Sequence, residues 1–342
     1  MNRTFEFAIH NHISSIPGLI IDLVKSTLEK CCDLLDVIEI TDYQQILLIG
    51  KDVYYAAGLS VASQLESSSK IPVKVLSEKD ACEIVLNPEH HFENTLSFSL
   101  FPNTSDREPM LILSSLKEKG SRVICITDTH PLDLRDYDFD VMWITIPAKR
   151  SELHVRHYSM ATLTFLSLSF LLSKQHSLDS STLFEPFKSE VIDASFQLTR
   201  KMNDLNSDLH SHAQKIQINA PIVFIGEGND YAPAFLANHF LSKYALRNSQ
   251  IIKTSDILQD ITILNKKAAI IFSSSTEAHH DVLMKALNSS SLSGHTLCIV
   301  TDDGDITSTS NYNVIHTTFS TRISSSLFSV VVPSLLVGHL FE

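Results

Sequence analysis

Glycine is scarce in this chain: 9 residues among 342, well under half the usual ~7%. That count makes an enzyme built on several glycine-rich phosphate loops a poor fit. Cysteine is sparse and odd in number, at positions 31, 32, 82, 125 and 298. No C-x-x-C spacing occurs, so neither a zinc ribbon nor a disulfide framework fits. The reading is a reduced, cytoplasmic protein. Long apolar runs are missing too. The two longest, Ala161–Leu172 and Leu327–Phe341, fall short of the ~20 residues that span a bilayer. The opening Met1-Asn-Arg-Thr-Phe5 carries no long apolar stretch, so a signal peptide is not expected. Positive charge is also short: Lys plus Arg number 27 against 39 Asp plus Glu, a net charge of −12. Nucleic-acid affinity rests on cations that neutralise phosphates, so no nucleic-acid partner is expected.

What the chain does have is apolar material, 44% of its residues. At roughly 150 residues per domain this suffices for about two cores. The sequence also repeats itself. Gln45-Ile-Leu-Leu-Ile-Gly50 precedes the helical pattern around Tyr55-Ala56, and Pro221-Ile-Val-Phe-Ile-Gly226 precedes the one around Tyr231-Ala232. The stretch from Gly120 through Arg122-Val-Ile-Cys125-Ile-Thr-Asp128 likewise matches Gly294 through Leu297-Cys298-Ile-Val-Thr-Asp302. Units this long indicate a duplicated domain rather than a solenoid.

Short buried-type runs alternate with helical stretches in each copy. Strands are expected at Ile46–Gly50, Val73–Leu76, Leu96–Leu100, Val123–Thr127 and Val141–Ile146, and again at Val223–Ile225, Ile251–Lys253, Ala268–Phe272, Leu297–Val300 and Val314–Thr317. Helices are expected at Pro17–Ile40, Tyr55–Leu65, Pro109–Lys119, Met160–Ser173 and Phe187–Ile216. Such alternation implies an α/β protein with parallel sheets covered on both faces. Helix Met160–Leu172 and the helix between the copies are the places where burial between subunits is expected.

Three pieces stand in a telling order: Ser77-Glu78, Glu152-Leu-His-Val155 before a long helix, and Gly226-Glu-Gly-Asn-Asp-Tyr231. With the strand and helix order they resemble the double sugar isomerase (SIS) domain family. That family includes the isomerase half of glucosamine-6-phosphate synthase, fructosamine-phosphate deglycases and other phosphosugar isomerases. The resemblance implies two tandem three-layer αβα SIS domains, at 41–180 and 219–342. A helical segment, 1–40, precedes them, and a linker helix, 181–218, joins them. It also implies a sugar phosphate as partner, no cofactor, no metal, no membrane attachment, and a homodimer.

Ligands in such folds sit beyond the carboxyl ends of the strands, where helix N-termini point free N–H groups. The resemblance assigns substrate binding to Asn103, Thr104, Ser105 and Arg107, to Val155, and to Ser273, Ser274, Ser275 and Thr276. Hydroxyls and backbone N–H groups suit a phosphate, which mainly accepts hydrogen bonds. Ser105-x-x-Glu108 and Ser274-x-x-Glu277 are also capping boxes, which serve the helix itself. Aldose–ketose isomerisation needs a base to move a proton between neighbouring carbons. Glu78, Glu152 and Lys243 are the candidates. Lys243 stands where the family carries its catalytic glutamate, and no histidine follows in Thr254–Leu264. Glu78 and Glu152 read equally as exposed acids at helix starts. Glu227 is a further acid in the second glycine turn. His154 and His157, one helical turn apart, read as a metal pair or as ordinary side chains. His10/His12 and His210/His212 read as solvated. Function is then an isomerase or amino-sugar phosphate deglycase with an altered site. The alternative is a non-catalytic sugar-phosphate binder or regulator.

Overall fold

The apolar runs of the sequence become parallel strands. The computed structural model describes residues 9–100, 107–127, 140–143, 154–173, 180–216, 220–245, 248–264, 267–275, 278–289, 297–302, 304–309, 312–317 and 326–340. The chain divides into two units: residues 19–192 form the first, and residues 193–342 with 1–18 form the second.

In the first unit β1 (Gln45–Gly50), β2 (Val73–Ser77), β3 (Thr95–Leu100), β4 (Arg122–Thr127) and β5 (Asp140–Trp143) make one sheet in the order β2-β1-β3-β4-β5. All its pairings are parallel. The central strands β1, β3 and β4 are buried almost throughout. Helices on both faces demand this, so these strands read as continuous apolar runs rather than alternating ones. The edge strand β2 instead exposes Lys74, and a charge on an edge discourages pairing with another chain.

In the second unit β6 (Ile222–Ile225), β7 (Ser249–Ile252), β8 (Ala268–Phe272), β9 (Leu297–Thr301) and β10 (Asn313–His316) are again all parallel. Their order, β7-β6-β8-β9-β10, is that of the first sheet. Every expected strand is present in both copies, within one or two residues over the described stretches.

The helices of the first unit are α1 (Ile16–Leu35), α2 (Val53–Ser69), α3 (Glu78–Leu86), α4 (Arg107–Glu118) and α5 (Val155–Ser173). A long α6 (Ser180–Ala213) follows. The second unit adds α7 (Tyr231–Phe240), α8 (Thr254–Gln259), α9 (His280–Ser289) and α10 (Val331–Leu340). One face of the first sheet packs Leu47, Ile49 and Val123 against Leu113 and Leu116 of α4. The second sheet does the same with Val223, Ile225 and Ile271 against Leu283 and Leu287 of α9.

Three expectations need correction. The first helix stops at Leu35, five residues before Ile40. The residues beyond it, Val37-Ile38-Glu39-Ile40, are mostly β-branched, and Ile38 and Ile40 are buried outside the helix. The linker helix starts at Ser180, so Pro186 lies inside it and withholds one helix hydrogen bond. Helix α5 is buried within its own unit: Tyr158 through Ser169 are all buried, which removes it as a subunit interface. Three of its buried hydroxyls bond back into the helix, Ser159 to the Val155 carbonyl at 3.2 Å, Thr164 to Met160 at 2.9 Å and Ser167 to Leu163 at 2.8 Å. That satisfies them without solvent.

Candidate functional site

The carboxyl edge of the first sheet is built by register. Gly50, the last residue of β1, stands opposite Ser77 of β2 and Leu100 of β3. The chain turns there into α2 so tightly that a Cβ on Gly50 would lie 2.7 Å from the backbone of Tyr54 and of Tyr55. Asp52 takes up the bend with φ 51° and ψ −118°, a conformation costly for any residue but glycine. β2 meanwhile passes into α3 through Ser77. Its hydroxyl accepts from the Asp80 N–H at 3.1 Å and donates to the Asp80 carboxylate at 2.7 Å. This cap fixes the first turn of α3, and Glu78 opens that turn.

Glu78 is buried, 8% exposed, so its reading as a solvated helix-start acid does not hold. Its Oε2 lies 3.1 Å from Lys51 Nζ. Its Oε1 is buried, and no hydrogen-bond partner reaches it among the described residues. A carboxylate oxygen in that condition costs stability unless something is bound to it. On the other side of the Gly50 turn, Tyr54 meets His157 edge-on at 6.0 Å, and His157 meets His154 at 5.1 Å. His154 has φ 48° just before α5. Val155, the first residue of α5, is fully buried. No group of three or more metal-ligating side chains exists among the described residues, so the two histidines gain no third ligand there. Asn103, Thr104, Ser105, Glu152, Thr276 and the side chain of Arg107 lie outside the described residues.

The second unit repeats this turn with different chemistry. A Cβ on Gly226 would sit 2.2 Å from the Asp230 carbonyl oxygen, so only glycine fits. Glu227 stands where Lys51 does, one residue past the glycine. Its carboxylate accepts from the Ser255 N–H at 2.8 Å and the Ser255 hydroxyl at 2.9 Å. It thereby caps α8, whose own N-cap residue Lys253 has no capping side chain. His279 Nε2 is 3.8 Å from the same carboxylate. The serine loop after β8 is similarly engaged. Asp230 accepts from the Ser274 N–H at 2.7 Å, and Asp302 from the Ser275 N–H at 2.6 Å. The Ser273 hydroxyl is 2.8 Å from His280 Nδ1, and both residues are buried. The donors expected to hold a phosphate at Ser274 and Ser275 therefore face the chain's own carboxylates. Sequence reasoning named the loop but missed Asp230 and Asp302; the turn-forming Gly226-x-x-x-Asp230 spacing was the available signal.

Lys243 lies in the turn Leu241–Ala245 after α7, exposed, with Nζ 5.5 Å from the Tyr244 ring centroid. Its neighbour Ser242 touches Ser249, the first residue of β7, at 3.2 Å. That places Lys243 at the amino edge of the second sheet, opposite the edge that carries Glu227.

No family model and no curated protein matches the sequence. Solved structures match in fold over nearly the whole chain. The C-terminal domain of glucosamine-fructose-6-phosphate aminotransferase from Francisella tularensis has a TM-score of 0.75 at 13% identity, covering 95% of this chain and 93% of that one. Tagatose-6-phosphate ketose/aldose isomerase from Escherichia coli has a TM-score of 0.68 at 13% identity, covering 97% and 92%. Glucosamine-6-phosphate deaminase from Thermotoga maritima has a TM-score of 0.62 at 20% identity, covering 96% and 92%. The class is thus an α/β protein with two five-stranded parallel sheets flanked by helices. Within that class, the resemblance to the SIS family read from the sequence is borne out at the level of fold.

Proposed function

We propose that the chain is a tandem SIS-domain protein, with domains at 41–180 and 219–342, that binds a sugar phosphate at the carboxyl edge of its first sheet. One observation carries this reading: the buried, open Oε1 of Glu78 beside the Lys51 ammonium, in a fold whose solved examples are named for hexosamine and tagatose phosphates. Thr104, Ser105 and Arg107, the groups assigned to the phosphate, belong to the segment that follows β3. In the second unit, carboxylates already fill the equivalent donors. The phosphate is therefore assigned to the first unit and not to Ser273–Thr276.

As a base, Glu78 takes the proton from the carbon next to the carbonyl and returns it to the former carbonyl carbon, while the hydroxyl proton passes to the former carbonyl oxygen, which interconverts aldose and ketose. Lys51 stabilises the negative charge on the intermediate oxygens. Glu152 remains a candidate partner in this exchange. We keep the homodimer and the cytoplasm as parts of the proposal; all five cysteines are free thiols, the state a reducing compartment maintains.

The test has two stages. Thermal shift with glucosamine 6-phosphate, fructose 6-phosphate, tagatose 6-phosphate and inorganic phosphate measures binding to the wild type. An isomerisation and deamination assay with the sugar phosphate that binds then compares wild type with Glu78→Gln. The expected result is a shift retained in Glu78→Gln with turnover reduced about 10²–10⁴-fold. Absence of any shift in the wild type sinks the reading. Binding without turnover in the wild type selects the second reading, a non-catalytic binder. Lys243 favours that one, because the position where the family carries its glutamate holds no acid here.

A further inference from the structure

The last turns of α6 carry two histidines that the proposed function does not use. One is buried without partners, and the other is bonded to the neighbouring helix. His212 is buried, 2% exposed, and neither ring nitrogen finds a hydrogen-bond partner among the described residues. A protonated ring there would bury two unpaired donors and a charge. Asp208 stands four residues before it on α6, and Lys215, two residues past the end of α6, bonds Asn313 of β10 at 3.3 Å. Lys215 is the cation that acts on His212, and its charge adds to burial in pushing the ring's pKa down to about 4.

His210 makes a chain of contacts with α10. Gln214 Nε2 lies 2.9 Å from His210 Nε2, His210 Nδ1 lies 3.3 Å from His339 Nδ1, and His339 Nε2 lies 2.9 Å from Asn206 Oδ1. The end groups fix every proton. The Gln214 amide nitrogen only donates, so His210 Nε2 accepts and its Nδ1 carries the hydrogen. Asn206 Oδ1 only accepts, so His339 Nε2 carries its hydrogen and Nδ1 accepts from His210. One arrangement satisfies all three bonds, and in it both rings are neutral. Protonating either ring turns one acceptor into a donor facing another donor. α10 has no other titratable side chain. The elements packed against it contribute Tyr231 and His239 of α7, Lys243 and Tyr244 of the following turn, and His10 and His12 in the segment whose Ile9 lies beside Gly338.

We propose that these imidazoles form an acid-sensitive clasp, which docks the end of α6 against α10 and beside β10 near neutral pH and releases it on mild acidification while the sheet of the second unit stays folded. The observation in its favour is a ring buried without partners, two residues from a three-bond chain that ties α6 to α10. The device concerns α6 and α10 alone and stands whether or not the chain handles sugar phosphates.

Hydrogen exchange on the full chain tests it, read as protection factors corrected for intrinsic rate. Between pH 7 and pH 5, amides of residues 206–213 in the wild type are expected to lose protection about tenfold or more. Amides of β6 and β8 keep theirs. In the double variant His210→Gln, His212→Leu the loss across residues 206–213 disappears. Equal pH dependence in wild type and variant, or no loss in the wild type, overturns the proposal. If the variant does not fold, nitrogen-15 spectra of the wild-type rings decide. Neutral His210 with its proton on Nδ1 and neutral His339 with its proton on Nε2, both at pH 7, support the clasp. A doubly protonated ring at pH 7 overturns it.

Discussion

Single residues decide how each strand hands over to its helix. At Gly226 a methyl group would sit 2.2 Å from the Asp230 carbonyl, closer than any relaxation of that rigid turn can relieve. Gly226→Ala is expected to lower unfolding free energy by about 2 kcal/mol or more, measured by urea denaturation. Asp302 holds the Ser275 N–H at 2.6 Å. Asp302→Ala removes that acceptor and is expected to cost about 1 kcal/mol. The same variant should leave sugar-phosphate affinity unchanged, since the proposed ligand belongs to the other unit; a rise in affinity or a second binding event would show that the serine loop is an anion site held in check. Lys51 and Glu227 mark how one substitution redirects a turn. Both follow a glycine at the end of a strand and both reach the start of the helix beyond the following strand, but one brings a cation to a carboxylate and the other a carboxylate to N–H donors.

At the scale of elements, burial outweighs propensity. Helix α5 holds Ser159, Thr162, Thr164, Ser167 and Ser169 in fully buried positions, where a composition-based reading would expect a surface. Leu166→Ala in this helix is expected to cost about 2–5 kcal/mol without changing the oligomeric state, as sedimentation would report. The end of α6 supplies a pH dependence. His212 has its pKa lowered by burial from 6.5 to about 4. Its contribution to stability is therefore complete above pH 6.5 and is lost as pH falls toward 4, by an amount of about 1–3 kcal/mol. His212→Leu should flatten that segment of the stability–pH curve. The sequence made the strands legible because Leu96–Leu100 and Ala268–Phe272 are buried on both faces and admit little but apolar or small side chains. The short α3 showed only as a helix start at Glu78, and α8 was hidden. Their starts depend on Ser77 bonding Asp80, and on Glu227 reaching 28 residues along the chain to Ser255. The second of these is a tertiary contact with no local pattern. The solvated readings of Glu78 and His212 failed for the same reason: burial of a polar side chain is set by what packs over it, not by its neighbours in sequence.

Across the molecule, the two sheets share one strand order, while their carboxyl edges differ in charge and occupancy. Each pairing of neighbouring strands is parallel. No two partners can therefore be joined by a tight turn; every one waits for an intervening stretch of chain to be made and laid across a sheet face. A nascent polypeptide emerging from the ribosome thus cannot zip either sheet as it appears. β1 finds β3 only after some fifty residues have been added, Gln45 against Thr95. Recovery after dilution from urea should accordingly take milliseconds to seconds rather than microseconds, with Leu-, Ile- and Val-rich segments uncovered for that interval. Refolding yield is therefore expected to rise as the protein concentration is lowered.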